Sequence, residues 1–203
     1  MIYSGDYMRD IYYSRNPLVK FIHLGRLREI IRLSDLQPGY NVLDVGCGGG
    51  HLINQLHKKE SRANYSGIDC DDAAIAAARQ RCPYATIVKA DLNGELDLPS
   101  GFFNLIIISE VIEHLPNYEK TISELKRLLA PGGQLIVTFP NERNWTVARF
   151  LLQRRPYKLI EHVNSFVPER IKRSVGLEVV YEKKLPFNWP FQLALVAILK
   201  FKK

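Results

Sequence analysis

Asp44 stands two residues before the first of three alternating glycines, Gly46, Gly48 and Gly50, in the stretch LDVGCGGGHL at residues 43–52. An apolar strand that runs into such glycines is the pattern of a loop holding a nucleotide cofactor, because the backbone can approach a ligand where a Cβ would clash. A dinucleotide loop needs its third glycine at the place that His51 holds here. The acid is equally informative. Asp44 would repel a pyrophosphate and attract a ligand carrying ammonium and sulfonium charges. The loop is therefore suited to a cation-bearing cofactor.

Two further acids fall at the ends of predicted strands. Asp69 closes the segment YSGIDC, where a carboxylate can accept hydrogen bonds from both hydroxyls of a ribose. Asp91 closes ATIVKADL. Acids at successive strand carboxyl ends lie where open α/β sheets bind ligands. Among the histidines, His23 and His57 sit in helix-like segments and read as surface or packing residues, and His51 starts a helix. His162 and His114 are the candidates for removing a proton from an acceptor, since imidazole titrates near neutrality. Cys47, Cys70 and Cys82 form no CxxC pair. No His, Cys and acid cluster shows ligand spacing, so the sequence indicates no metal.

These residues need a scaffold of alternating strands and helices. NVLDVG (41–46), YSGIDC (65–70), ATIVKADL (85–92), FNLIIISEV (103–111) and QLIVTFP (134–140) read as strands. A helix is predicted from about Gly49 to Lys58, a second over the alanine-rich 72–82, and a third over 118–129, closed by the stop signal APGG. Ahead of them, 16–33 places Leu18, Ile22, Leu27, Ile30 and Ile31 near one helical face. LEVVYEKKLPF and QLALVAILKFKK are two more strands around the turn-prone NWP, the last of them a buried terminal strand rather than a membrane foot. The expected fold is α/β: a Rossmann-like doubly wound sheet of about seven strands, mostly parallel with an antiparallel C-terminal strand and helices on both faces.

At 203 residues and 46% hydrophobic composition, the chain suits one domain. It divides into a helical cap (1–35), a cofactor-binding core (36–140), a lid over the acceptor site (141–175) and a C-terminal strand pair (176–203). The start MIYSGDYMRD lacks the apolar core of a signal peptide, and LALVAILKF is too short to span a bilayer, so a cytoplasmic protein is expected. The net charge of +7 is uneven: residues 141–203 hold 13 Lys and Arg against 5 Asp and Glu. Between Asn144 and Arg155, Trp145, Val147, Ala148, Phe150, Leu151 and Leu152 lie among Arg149, Arg154 and Arg155. With Tyr3, Tyr7, Tyr12 and Tyr13, this segment suits an amphipathic lid with peripheral contact to an anionic membrane surface.

The motifs together resemble those of the class I S-adenosylmethionine-dependent methyltransferases. VLDVGCGGG is similar to the first motif of that family, GIDCDDAAIAAAR to the second, ADLNGELDLP to the third, IIISEVIEHL to the fourth and LAPGGQLIVTFPN to the fifth. Within the family, EHL and PGG resemble the small-molecule branch that includes quinone-biosynthesis enzymes. The resemblance implies S-adenosyl-L-methionine as cofactor and S-adenosyl-L-homocysteine as product. It places Asp44 near the amino-acid moiety, with Gly46, Cys47, Gly48 and Gly50 in the loop, and Asp69 on the ribose. Cys70 then lies beside the adenine, Asp91 on its amino group and Leu92 at its edge, while Ser109 and Glu110 face the methionine part. It implies in-line methyl transfer to O, N or C of a small or lipid-linked acceptor, with His114 near the methyl group. Nucleic acid is disfavoured as acceptor: the D/N-P-P-Y/F motif of exocyclic-amine enzymes is replaced by SEVI, and the only Cys–Pro pair, Cys82-Pro83, is reversed and misplaced for a cytosine-C5 nucleophile. A non-catalytic module that binds the cofactor, and an enzyme acting on RNA or protein, are the alternatives.

Overall fold

The computed structural model describes residues 17–151, 162–188 and 190–203. Six helices and seven strands follow in the order α1 (Pro17–Leu33), β1 (Asn41–Val45), α2 (His51–Lys59), β2 (Asn64–Asp69), α3 (Asp72–Arg81), β3 (Thr86–Lys89), β4 (Phe103–Ser109), α4 (Tyr118–Leu128), β5 (Leu129–Pro140), α5 (Glu142–Leu151), α6 (Pro168–Val175), β6 (Glu178–Leu185) and β7 (Val196–Lys202). Single 3₁₀ turns occupy Ile112–His114 and Phe191–Leu193.

The strands form one sheet in the order β3-β2-β1-β4-β5-β7-β6. β1 to β5 pair in parallel, whereas β7 runs antiparallel to both β5 and β6. This is the doubly wound sheet the alternating pattern predicts. Side chains alternate along each strand, so the sheet divides the apolar residues between two cores. Leu43 and Val45 of β1, Ile106 and Ile108 of β4, and Leu135 and Val137 of β5 meet Ile122 and Leu125 of α4 and Ile171 of α6. Val42, Leu105, Ile107 and Ile136 face the other way, against α1, α2 and α3. Both faces of β4 are thus covered, which is why its sequence is apolar almost without interruption.

β7 settles the fate of the apolar C-terminal segment. Val196, Ile198, Leu199 and Phe201 are inaccessible to solvent. Their burial is worth roughly 6–12 kcal/mol together, comparable with the net stability of a whole domain. They belong to the core. No helix among the described residues is long and apolar enough to cross a membrane.

Two expectations need correction. The third strand ends at Lys89 rather than continuing to Leu92. β3 is an edge strand with β2 on one side only, and Asp91 turns the chain by accepting hydrogen bonds from the backbone and side-chain nitrogens of Asn93, each at 2.9 Å. APGG does more than stop a helix: α4 ends at Leu128, and Leu129 already pairs with Phe103 at the start of β5. The glycines make a bulge within that strand. A Cβ on Gly133 would sit 2.8 Å from the Ala130 carbonyl oxygen and 3.0 Å from that of Phe103, so the residue must be glycine for the strand to stay paired.

Candidate cofactor and acceptor site

Strand order reverses between β1 and β4, and open α/β sheets bind ligands in the crevice at such a point. The glycine loop leaves β1 there. The amides of Gly46 and Cys47 both donate to the Ile68 carbonyl, at 2.8 and 3.0 Å, which folds the loop across the end of β2. Gly46 has φ of 70° and no room for a side chain, since a Cβ would lie 2.4 Å from Val111 Cγ2. Gly48 also has positive φ, but open space lies beside it. Its amide donates to Asp69 Oδ2 at 2.8 Å. The Gly49 carbonyl accepts a hydrogen bond from Arg81 of α3.

Asp69 ends β2, with Oδ1 accepting from the Asp71 amide at 3.0 Å. Two backbone donors therefore fix the carboxylate, and a lone pair remains on each oxygen for a ligand. Asp44 lies on β1, the neighbouring strand, and is buried. Burial, helped by the negative charge of Asp69, raises its pKa to about 8. Asp91 is exposed beyond β3 and Leu92 is buried beside it, its carbonyl accepting from Thr121 Oγ1 at 2.8 Å. Cys70 is exposed. Cys47 is different: its thiol packs into the core beside Gly67, where a Cβ would approach its sulfur to 2.9 Å. Only its backbone lies in the loop.

The end of β4 supplies the opposite wall. Ser109 Oγ shares a hydrogen bond of 2.9 Å with Thr138 Oγ1 of β5. Glu110 has φ of 57°, a conformation costly for a non-glycine residue. It is held by its amide, which donates to the Thr138 carbonyl at 3.1 Å, and by Arg26 of α1, whose Nη1 lies 2.8 Å from Oε2. Arg26 is itself buried on a helix face formed with Ile22 and Ile30. A buried guanidinium of this kind has to find a carboxylate, and Glu110 is that partner.

Beyond Glu110 the two candidate histidines come together. The His114 and His162 rings stand edge to face with centroids 4.5 Å apart. His162 Nδ1 is 2.5 Å from Glu142 Oε1, at the start of α5. The Asn164 amide donates to the Glu113 carbonyl at 3.0 Å and its side-chain nitrogen to the Leu115 carbonyl at 2.7 Å, which ties the 162–166 segment to the turn carrying His114. His23 stacks on Trp145 of α5 with centroids 5.8 Å apart, and burial together with the Arg26 charge lowers its pKa to about 3. His57 stacks on Tyr84 at 3.6 Å. Both are packing residues, as their helical positions suggest.

The pattern of the methyltransferase-domain family matches residues 20–182, which include the loop, the acids and both histidines. The chain belongs to that family. It is a class I S-adenosylmethionine-dependent methyltransferase in fold and motif order, and S-adenosylmethionine is the cofactor that goes with them. Relatives include trans-aconitate 2-methyltransferases of Escherichia coli (33% identical over 126 residues, 62% of this chain and 48% of that one) and Paracidovorax citrulli (30% over 115 residues, 57% and 44%). The chain spans about half the length of those relatives. Among solved structures, a SAM-dependent methyltransferase from Aquifex aeolicus superposes with a TM-score of 0.68 at 17% identity, covering 96% of this chain and 97% of that one.

Sequence reasoning passed over Arg26, Thr138 and Glu142. Arg26 carried a signal, a charge inside an apolar helical stripe. Glu142 carried none, because its partner His162 is 20 residues away along the chain. Of the proposed lid, Leu152, Arg154 and Arg155 lie outside the described residues, as do Tyr3, Tyr7, Tyr12 and Tyr13. Within its described residues, α5 leaves Val147 and Phe150 exposed.

Proposed function

We propose that this methyltransferase transfers the methyl group of S-adenosylmethionine to a small-molecule acceptor. The observation that carries the reading is the meeting, at one crevice, of a glycine loop with a carboxylate fixed beside it and a pair of histidines beyond it. Gly46, Gly48 and Gly50 give the cofactor access to the backbone, and Asp69 takes the ribose hydroxyls with its two remaining lone pairs. Asp44 meets the ammonium of the amino-acid part, Cys70, Asp91 and Leu92 the adenine, and Ser109 and Glu110 the methionine chain. The start of α5 and the 162–166 segment stand on the acceptor side.

The reaction needs little covalent help. An acceptor lone pair attacks the methyl carbon, the carbon–sulfur bond breaks, and its electrons stay on sulfur as a neutral thioether. The sulfonium is already activated, so the protein has to align the acceptor, exclude water and assist loss of the acceptor proton. His162, oriented by Glu142, and His114 beside it are assigned to that last task. Relatives named for methylating trans-aconitate support a small acceptor.

Calorimetry with S-adenosylhomocysteine separates the two halves of the site. Asp69→Ala loses two charge-assisted hydrogen bonds of about 1.5–3 kcal/mol each, so cofactor affinity falls at least about 100-fold. His162→Ala keeps that affinity and loses turnover. Unchanged affinity in the first variant, or full activity in the second, removes that residue from its role.

A further inference from the structure

We infer that the acceptor side of this crevice is a binding site for one divalent first-row transition-metal ion, ligated by Glu113, His114 and His162. A carboxylate oxygen of Glu113 and one ring nitrogen from each histidine lie within 4.8 Å of one another. Ligands held about 2.1 Å from a common ion stand roughly 3.4 Å apart, so the group closes on an ion by small movements. His114 is the exposed member of the three.

Two features distinguish this cluster from a chance grouping. Glu113 is 1% exposed, and its Oε2 is buried without a hydrogen-bond partner. A buried carboxylate left that way is costly unless a cation or a proton joins it. Around it, Glu110 and Glu142 add negative charge, and Arg26, whose positive charge also reaches Glu113, makes its ion pair with Glu110 at 2.8 Å. Second, Glu142 Oε1 lies 2.5 Å from His162 Nδ1, which leaves Nε2 as the ring nitrogen that could meet an ion. A carboxylate behind an imidazole is the usual outer support of a metal-bound histidine.

The donor set decides the class of ion. Two imidazoles and one carboxylate favour manganese, iron, cobalt or zinc over magnesium or calcium, which prefer oxygen ligands alone. Three protein ligands also leave coordination positions open. Resting on the methyl-transfer reading, an acceptor oxygen would occupy one of them and lose its proton to solvent more readily than when free. His162 then activates the acceptor through the ion rather than by taking the proton itself. The sequence showed no ligand spacing because His162 reaches the other two ligands only through the fold.

The test is cobalt(II) titration of chelator-stripped protein, followed by visible absorption and calorimetry. The expected result is one ion per chain with a saturable d–d band. His162→Ala and Glu113→Gln abolish the band, and Glu142→Gln weakens binding about tenfold or more. S-adenosylhomocysteine affinity, measured on the same stripped samples, confirms that each variant is folded and tests the cofactor site independently. No saturable band, or binding that survives both ligand substitutions, overturns the metal site while leaving the cofactor reading intact. Cobalt bound by the three ligands in a protein with no affinity for S-adenosylhomocysteine leaves the site standing and overturns the methyl-transfer reading.

Discussion

Replacing Asp44 by asparagine should make the protein more stable and its cofactor site worse. The carboxyl is raised from 3.8 to about 8, by burial first and then by the charge of Asp69. A group whose folded pKa is raised contributes stability that is fully present below its unfolded value and is lost as pH climbs through the folded one. For Asp44 that window runs from about pH 4 to about pH 8. Each pH unit inside it is worth about 1.4 kcal/mol, so raising pH from 5 to 7.5 costs the wild-type protein up to about 3 kcal/mol through this side chain. The carboxamide in Asp44→Asn has no charge to bury and escapes that loss. His23 has the opposite sign, because burial lowers its pKa to about 3, but it is common to both proteins and cancels in the comparison. Urea unfolding at pH 5 and pH 7.5 reads the effect: the stability of Asp44→Asn relative to wild type should rise by about 1–3 kcal/mol between the two. Affinity for S-adenosylhomocysteine at pH 7.5 should fall at least about tenfold, since the ammonium loses its anion. A stability difference independent of pH would refute the account of Asp44, and unchanged affinity would refute its role.

Two other substitutions probe the walls of the crevice. Arg26→Leu strands the Glu110 carboxylate and should cost about 3–5 kcal/mol, with Arg26→Leu/Glu110→Gln recovering at least half of it; a single variant within about 1 kcal/mol of wild type in urea would mean the pair is not what holds Glu110. Gly50→Ala puts a side chain at φ of 76° with its Cβ 3.2 Å from Ala78 Cα. It should lower stability by about 1–3 kcal/mol, and a melting temperature equal to wild type would show that the loop does not keep this conformation.

The layout of the sheet was legible because its central strands are apolar on both faces and strands alternate with helices along the chain. β4, all but continuous in Leu and Ile, could only be a central strand. The placing of the three acids was legible as well, since each sits near the end of its own strand and depends on local chain geometry. The acceptor side was not. Arg26 and Glu110 are 84 positions apart in the chain, and Glu142 meets His162 across a segment with no periodic pattern. Glu113 was hidden by its surroundings: within EVIEHL it reads as a polar residue following a strand, and only the packed structure shows that it is buried with an oxygen lacking a partner. Cys47 shows the reverse, a residue chosen for its place in the loop whose side chain went to the core.

The most direct test of the whole account is methyl-labelled S-adenosylmethionine incubated with purified protein and host-cell extract, followed by separation into small-soluble, lipid, protein and nucleic-acid fractions. Protein-dependent label in the small-molecule fraction, lost in Asp69→Ala, is the predicted result. Label confined to the lipid, protein or nucleic-acid fraction would contradict the acceptor assignment. No label in any fraction, from protein that still binds S-adenosylhomocysteine, would contradict catalysis itself.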